Sequence, residues 1–243
     1  MRTCAIHQPN FFPWLGYFDK IRRADVFVFL DQVSYPKSGN SMGSWCNRVK
    51  IKLNGKAEWI SCPVIRESGV QRIDTVRIDP SRRWRDRIRQ LIELNYRKAA
   101  NFGAAFELFD GFLGFETEFL AEFNVNAITG LARYLGCEAK LVRQSDLPAM
   151  QQTATARLVA ITRAVGADTY LCGGGSTGYL EESAFSEASV GLIYQKFEAV
   201  PYGDPATFVP GLSIIDWLMD AESHQIENNR GNAPQPGTRI VVG

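Results

Sequence analysis

The chain has 243 residues, a length that suits one large domain or a core carrying an insertion. Its 27 basic and 26 acidic residues leave a formal charge of +1, and 45% of its residues are hydrophobic. That balance argues against partners held by bulk charge, so no nucleic acid is expected, while the apolar fraction is enough for a buried core. MRTCAIHQPNFFPW does not read as a secretory signal, because its apolar stretch is short and is broken by His7, Gln8 and Pro9. No run approaches the length of a membrane-spanning helix, so no membrane insertion is expected. The five cysteines (Cys4, Cys46, Cys62, Cys137 and Cys172) are scattered singly without a CxxC pair. That spacing indicates neither a zinc knuckle nor a redox motif and suits reduced core thiols in a cytoplasmic protein.

In chain order, Cys4–Gln8 reads as a short buried strand, and Pro9 and Pro13 impose an extended turn. Trp14–Arg23 has helical spacing, with Leu15, Phe18 and Ile21 on one face and Lys20, Arg22 and Arg23 off it. VFVFL after Asp25 is a continuous apolar run, as expected for a strand covered on both faces. The opening is therefore a βαβ unit. The loop after its first strand falls at the C-terminal edge of a parallel sheet, where α/β proteins place ligands.

Gln32–Trp45 is rich in Ser, Gly, Pro and Asn and reads as a long loop. Asn47–Leu53, Glu58–Ile65 and Ile73–Ile78 look like strands without intervening helices, hence antiparallel excursions. Ser81 is placed to cap a helix running to about Leu94, and Phe102–Gly136 holds one or two more helices. The stripe Phe106, Phe109, Phe112, Phe115, Phe119 and Phe123 suits one packed face. The last third returns to α/β order: strand Ala139–Arg143, helix Thr153–Val165 stopped at Gly166, strand Thr169–Cys172, helix Tyr179–Ser189, strand Gly191–Phe197 and helix Leu212–Ala221. The expected fold is α/β, with a mainly parallel sheet opened by a βαβ unit and with antiparallel strands and a helical portion, about residues 81–136, inserted. Residues 1–224 are expected to form a single domain, with a polar tail over 225–243.

His7 ends a buried strand at the ligand edge and suits a general base, because imidazole titrates nearest neutral pH. Asp31 ends the second strand and is placed to orient His7, anchor a ribose or sugar hydroxyl, bind a cation or cap a turn. Cys46 with His7 and Asp31 would have the chemistry for acyl transfer if the three meet. Lys37 and Arg48 offer cations for a phosphate or carboxylate. The run from Gly173 to Gly178 lies between a strand and a helix, where backbone N–H groups can approach an anion, although it matches neither a P-loop nor GxGxxG. His224, at the start of the tail, carries little weight.

The ordered blocks IHQPNFFPWLGYFDKI, DVFVFLDQVSYPKSG, NRVKIK, GADTYLCGGGSTGYL and FVPGLSIIDWL resemble the WbqC-like family from near the N-terminus to about residue 220. The family pattern touches His7, Gln8, Pro9, Pro13, Trp14, Gly16, Asp31, Lys37, Asn47, Arg48, Tyr170, Gly173, Gly175 and Tyr179, and also Ser213 and Asp216. It departs at Gln32 and at Cys172, and it has no counterpart of Cys46. The resemblance implies a setting in bacterial surface-polysaccharide (O-antigen) or related specialised metabolism, and the site residues point to a small-molecule transferase there, with acyl or aminoacyl transfer to an amino sugar as its concrete form. In that form His7, Asp31 and Cys46 are the candidate catalytic residues. Gln8, Lys37, Asn47, Arg48, Gly173, Gly175 and Tyr179 would bind a sugar nucleotide or carrier-bound acyl group, and no cofactor is named. A looser likeness to HIGH-superfamily nucleotidyltransferases, without their HxGH motif, keeps open a nucleotide-binding enzyme. A non-catalytic sugar-nucleotide-binding protein is the third reading.

Overall fold

The structure is a computed structural model that describes residues 1–36, 44–173 and 180–221 and the backbone of 239–240. Lys37, Gly175, Tyr179 and His224 lie outside the described residues. The chain opens with β1 (Thr3–His7), α1 (Leu15–Arg22) and β2 (Val26–Phe29), and continues through a hairpin of β3 (Arg48–Leu53) and β4 (Lys56–Ser61). Three helices follow, α2 (Trp84–Tyr96), α3 (Phe102–Leu113) and α4 (Leu120–Tyr134). The closing part holds β5 (Lys140–Arg143), α5 (Ala154–Ala164), β6 (Thr169–Cys172), α6 (Glu182–Glu187), β7 (Gly191–Tyr194), α7 (Ile214–Asp220) and β8 (Arg239–Ile240).

Strands TCAIH, VFVF and TYLC are buried at every position except the half-buried His7, as their unbroken apolar character predicts for the centre of a sheet. The sheet runs β5-β2-β1-β6-β7-β8, and its first five strands are parallel. The two-residue β8 pairs antiparallel with β7. Numbered among themselves in chain order, the five parallel strands stand 3-2-1-4-5, so the direction of winding reverses between β1 and β6. Alternate side chains serve two cores. Ala5, Phe27, Leu171 and Ile193 join α1, α4 and α7 on one face, and Cys4, Ile6, Val26, Val28, Tyr170 and Leu192 join α5 and α6 on the other.

The antiparallel excursion is smaller than the pattern suggested. Ile73–Thr75 is a 3₁₀ turn, not a strand, because Ile73 N–H and Asp74 N–H bond to the carbonyls of Val33 and Asp31 in the loop after β2. Ser81 does not cap α2. Its hydroxyl donates to Asp79 Oδ1 at 2.6 Å, and Arg83 stands at the helix start without a side-chain cap. The phenylalanine stripe is split between α3, α4 and the link between them, so Phe109 and Phe123 are core residues while Phe115 is 37% exposed. Gly166 does end α5, with φ +71°. Among the described residues, no helix is long and apolar enough to cross a membrane.

Candidate functional site

β1 delivers His7 to the C-terminal edge of the sheet, and the segment Gln8–Pro13 then turns back over it. Several distant residues hold this turn. Asn124 Nδ2, fully buried on α4, donates to Pro9 O at 2.9 Å and to Cys46 O at 2.7 Å. Ser213 Oγ donates to Phe12 O at 2.7 Å, and Ile214 N–H bonds to Pro13 O. Phe12 takes φ +40°, a conformation a bulky residue adopts only when packing over-determines it. That packing is supplied by the rings of Phe11, Phe109 and Phe123. Asp216, in the first turn of α7, is buried beside this support. Its carboxylate accepts from the hydroxyls of Tyr96 and Tyr202, the latter at 2.7 Å. The separated sequence blocks thus converge on the support of one loop.

In front of this loop lies a cleft of about 480 Å³, lined by His7, Gln8, Lys20, Tyr170 and Gly173 among others, with Trp14 and Phe197 also on its wall. It opens where the winding of the sheet reverses, the position at which doubly wound sheets hold ligands. The β1–β6 ladder registers Thr3, Cys4 and Ala5 with Thr169, Tyr170 and Leu171 and goes no further. Beyond it, the Ile6 carbonyl accepts from Lys20 Nζ at 2.9 Å. A lysine on α1 therefore closes the top of the ladder between the two strands.

Lys20 was expected off the apolar face, yet it is 3% exposed. Its place follows from Gly16, Tyr17 and Lys20, which share the side of α1 that faces the cleft. Burial pushes the Lys20 ammonium down to about 8. His7 Nδ1 lies 3.1 Å from Gln8 O. A carbonyl oxygen only accepts, so Nδ1 carries the proton and Nε2 keeps the lone pair. Burial, then the positive charge of Lys20, push the imidazole down to about 4, opposed by the Gln8 hydrogen bond. At neutral pH the cleft holds a neutral imidazole beside an amine that is mostly ammonium.

The other expected residues divide. Gln8 and Gly173 line the cleft with His7. The Asp31 carboxylate, fully buried, accepts from Arg143 Nε at 3.0 Å and from Ser145 N–H at 3.0 Å and its hydroxyl at 2.7 Å. It ties the end of β2 to the end of β5, whereas His7 bonds to Gln8. Cys46 is fully buried, and its thiol, pushed up to about 12 by burial, points to Gln8 Oε1 at 3.8 Å and Asn10 Oδ1 at 3.9 Å. It lies near the loop but carries no thiolate at neutral pH. Asn47 is a bracket. Its Oδ1 accepts from Tyr35 Oη and Ser44 N–H at 2.8 Å each, and its Nδ2 donates to Cys62 O at 2.9 Å. Arg48 lies over Trp59, its guanidinium carbon 4.3 Å from the ring centroid, and is not part of the cleft wall.

Sequence reasoning missed Lys20 and Gln195, whereas Tyr170, one of the positions the family pattern touches, lines the cleft. Gln195, just past β7, donates to Gly16 O at 2.8 Å and Asp19 Oδ2 at 2.7 Å and so fixes α1 against the cleft. The available signal was the i, i+4 spacing of Gly16 and Lys20 on a helix following a strand that ends at a ligand edge.

The sheet order and the cleft at its reversal point define an α/β protein of the doubly wound kind. The chain belongs to the WbqC-like protein family, whose model matches residues 8–228. It is similar to the uncharacterized protein Rv1507c of Mycobacterium tuberculosis (strain ATCC 25618 / H37Rv), with 29% identity over 226 residues, covering 90% of this chain and 94% of that protein. No solved structure matches the chain.

Proposed function

We propose that the protein is a transferase acting on a small molecule at the β1–β6 cleft, and that it moves an acyl or aminoacyl group onto the amine of an amino sugar. The observation that carries this reading is His7, a neutral imidazole at a switch-point cleft whose Nδ1 is occupied by Gln8 O and whose Nε2 is left as proton acceptor. In the step, the amine nitrogen bonds to the acyl carbon, the bond to the leaving group breaks, and the amine proton passes through Nε2 to the leaving group. A weakly basic imidazole suits a late transfer, after the new N–C bond has made the nitrogen acidic. The surface-polysaccharide context rests on the family resemblance. Gln8 and Gly173 remain binding candidates beside His7. Asp31 and Cys46 are better read as supports of the edge than as chemical participants, and Lys37, Gly175 and Tyr179 keep the binding role the resemblance implies.

The test is incubation of the full chain with acyl thioesters and nucleotide-linked amino sugars, with the N-acylated product read by mass. His7→Ala should cut the rate by roughly a hundred- to ten-thousand-fold while the melting curve stays close to wild type. Full turnover in a folded His7→Ala removes His7 as the base. A second reading, a nucleotide-binding enzyme, is favoured by the 3-2-1-4-5 strand order. It requires ATP and magnesium to bind in the same cleft.

A further inference from the structure

We propose that the ligand of the cleft carries an oxyanion, a phosphate or a carboxylate, and that the Lys20 ammonium is the cation that receives it. The proposal rests on the cleft being the substrate site but not on the transfer chemistry assigned to His7. Lys20 is 3% exposed, lines the cleft and gives one N–H to Ile6 O at 2.9 Å. An ammonium has three donors, so two have no hydrogen-bond partner among the described residues.

Among the described residues, no carboxylate lies within ion-pair distance of Lys20. Asp19, its neighbour in the chain, is engaged by Arg23 Nε at 2.8 Å and Gln195 Nε2 at 2.7 Å. The titratable groups facing Lys20 are Cys4 and His7 from β1, Tyr170 and Cys172 from β6, and Tyr17 from its own helix. None is negative at neutral pH, because burial pushes up both thiols and both tyrosines and pushes the imidazole down.

A buried cation without a counter-charge is costly, and folded proteins ordinarily pair it or neutralise it. Capping the Ile6 carbonyl does not explain the charge, since a neutral amide would donate as well. A ligand oxyanion does explain it, with the ammonium charged when the ligand is seated. A cleft of about 480 Å³ is far larger than one such group, so the oxyanion is one end of a bigger molecule. Its arrival also cancels part of the positive potential at His7 and makes that imidazole a better proton acceptor.

The experiment is calorimetric titration of the full chain with inorganic phosphate, pyrophosphate and acetate, in wild type, Lys20→Gln and His7→Ala. Lys20→Gln keeps a donor for Ile6 O, and each variant is checked by a melting curve. Wild type should bind at least one of the three in the millimolar range, and Lys20→Gln should weaken that binding by about tenfold or more. A preference for phosphate or pyrophosphate assigns a phosphate-bearing ligand, and a preference for acetate a carboxylate. At about pH 8.5, binding should take up protons, because the partly neutral amine recharges as the anion arrives. A folded Lys20→Gln that binds as tightly as wild type overturns the proposal, and so does a wild type that binds none of the three. Because binding is read without turnover, this failure is distinct from that of the His7 mechanism, and His7→Ala should leave oxyanion binding largely intact.

Discussion

Tyr17 and His7 donate to one acceptor, the carbonyl oxygen of Gln8. The tyrosine hydroxyl reaches it at 2.9 Å and the imidazole Nδ1 at 3.1 Å, and the two rings meet edge-on with centroids 4.8 Å apart. The pair holds the imidazole in one tautomer and orientation, with Nε2 as the ring's remaining nitrogen.

Because the folded His7 is held down to about 4 against an ordinary value of 6.5, the unfolded chain takes up the proton first as pH falls. Its contribution is therefore fully present above pH 6.5 and is lost on acidification toward 4. Urea unfolding of wild type and His7→Gln across that window should show wild type losing up to about 3 kcal/mol relative to the variant. A constant difference between the two would contradict an imidazole held neutral in the folded state.

Asp31 is expected to matter for stability first. Asp31→Asn leaves Arg143 without its carboxylate while Ser145 still faces the site, a loss of roughly 2–4 kcal/mol given that Arg143 is partly exposed. For a chain of this size the melting temperature should fall by about 5–15 °C. An unchanged melting temperature together with abolished turnover would instead restore Asp31 as a chemical participant.

The buried Cys46 thiol should resist alkylation by iodoacetamide in the native protein at pH 8 and react only after unfolding, because the thiolate is the nucleophile and burial suppresses it. Peptide mass mapping reads this directly. Rapid native labelling of Cys46 with parallel loss of turnover would return it to the catalytic set.

Gly16 should behave as a shape residue of the cleft wall. A Cβ there would lie 2.4 Å and 2.5 Å from the Trp14 ring and 2.9 Å from Phe197. Trp14 is 36% exposed, so Gly16→Ala should displace the indole and leave the fold standing, aided by the better helix propensity of alanine. The expected signs are a shifted tryptophan emission and weaker substrate binding, seen as a raised KM with kcat less affected. Unaltered emission and KM would mean that the wall tolerates the methyl group.

The sequence alone determined the opening βαβ unit, the α/β class and the position of His7 at the C-terminal edge of the sheet. Each depends on local patterns: an apolar run too short for a helix, a proline-broken turn and a helix of periodic apolar residues. Only the tertiary structure decided what the polar residues do. Lys20 is buried because β6 arrives about 150 residues later and its ladder with β1 stops at Ala5, which leaves the Ile6 carbonyl for the ammonium. The Asp31 carboxylate is engaged by Arg143 and Ser145, which come in with and just after β5, while His7 bonds to Gln8 O. Periodicity records which face of an element is apolar, whereas the partner of a buried charge is set by which distant strand lies alongside.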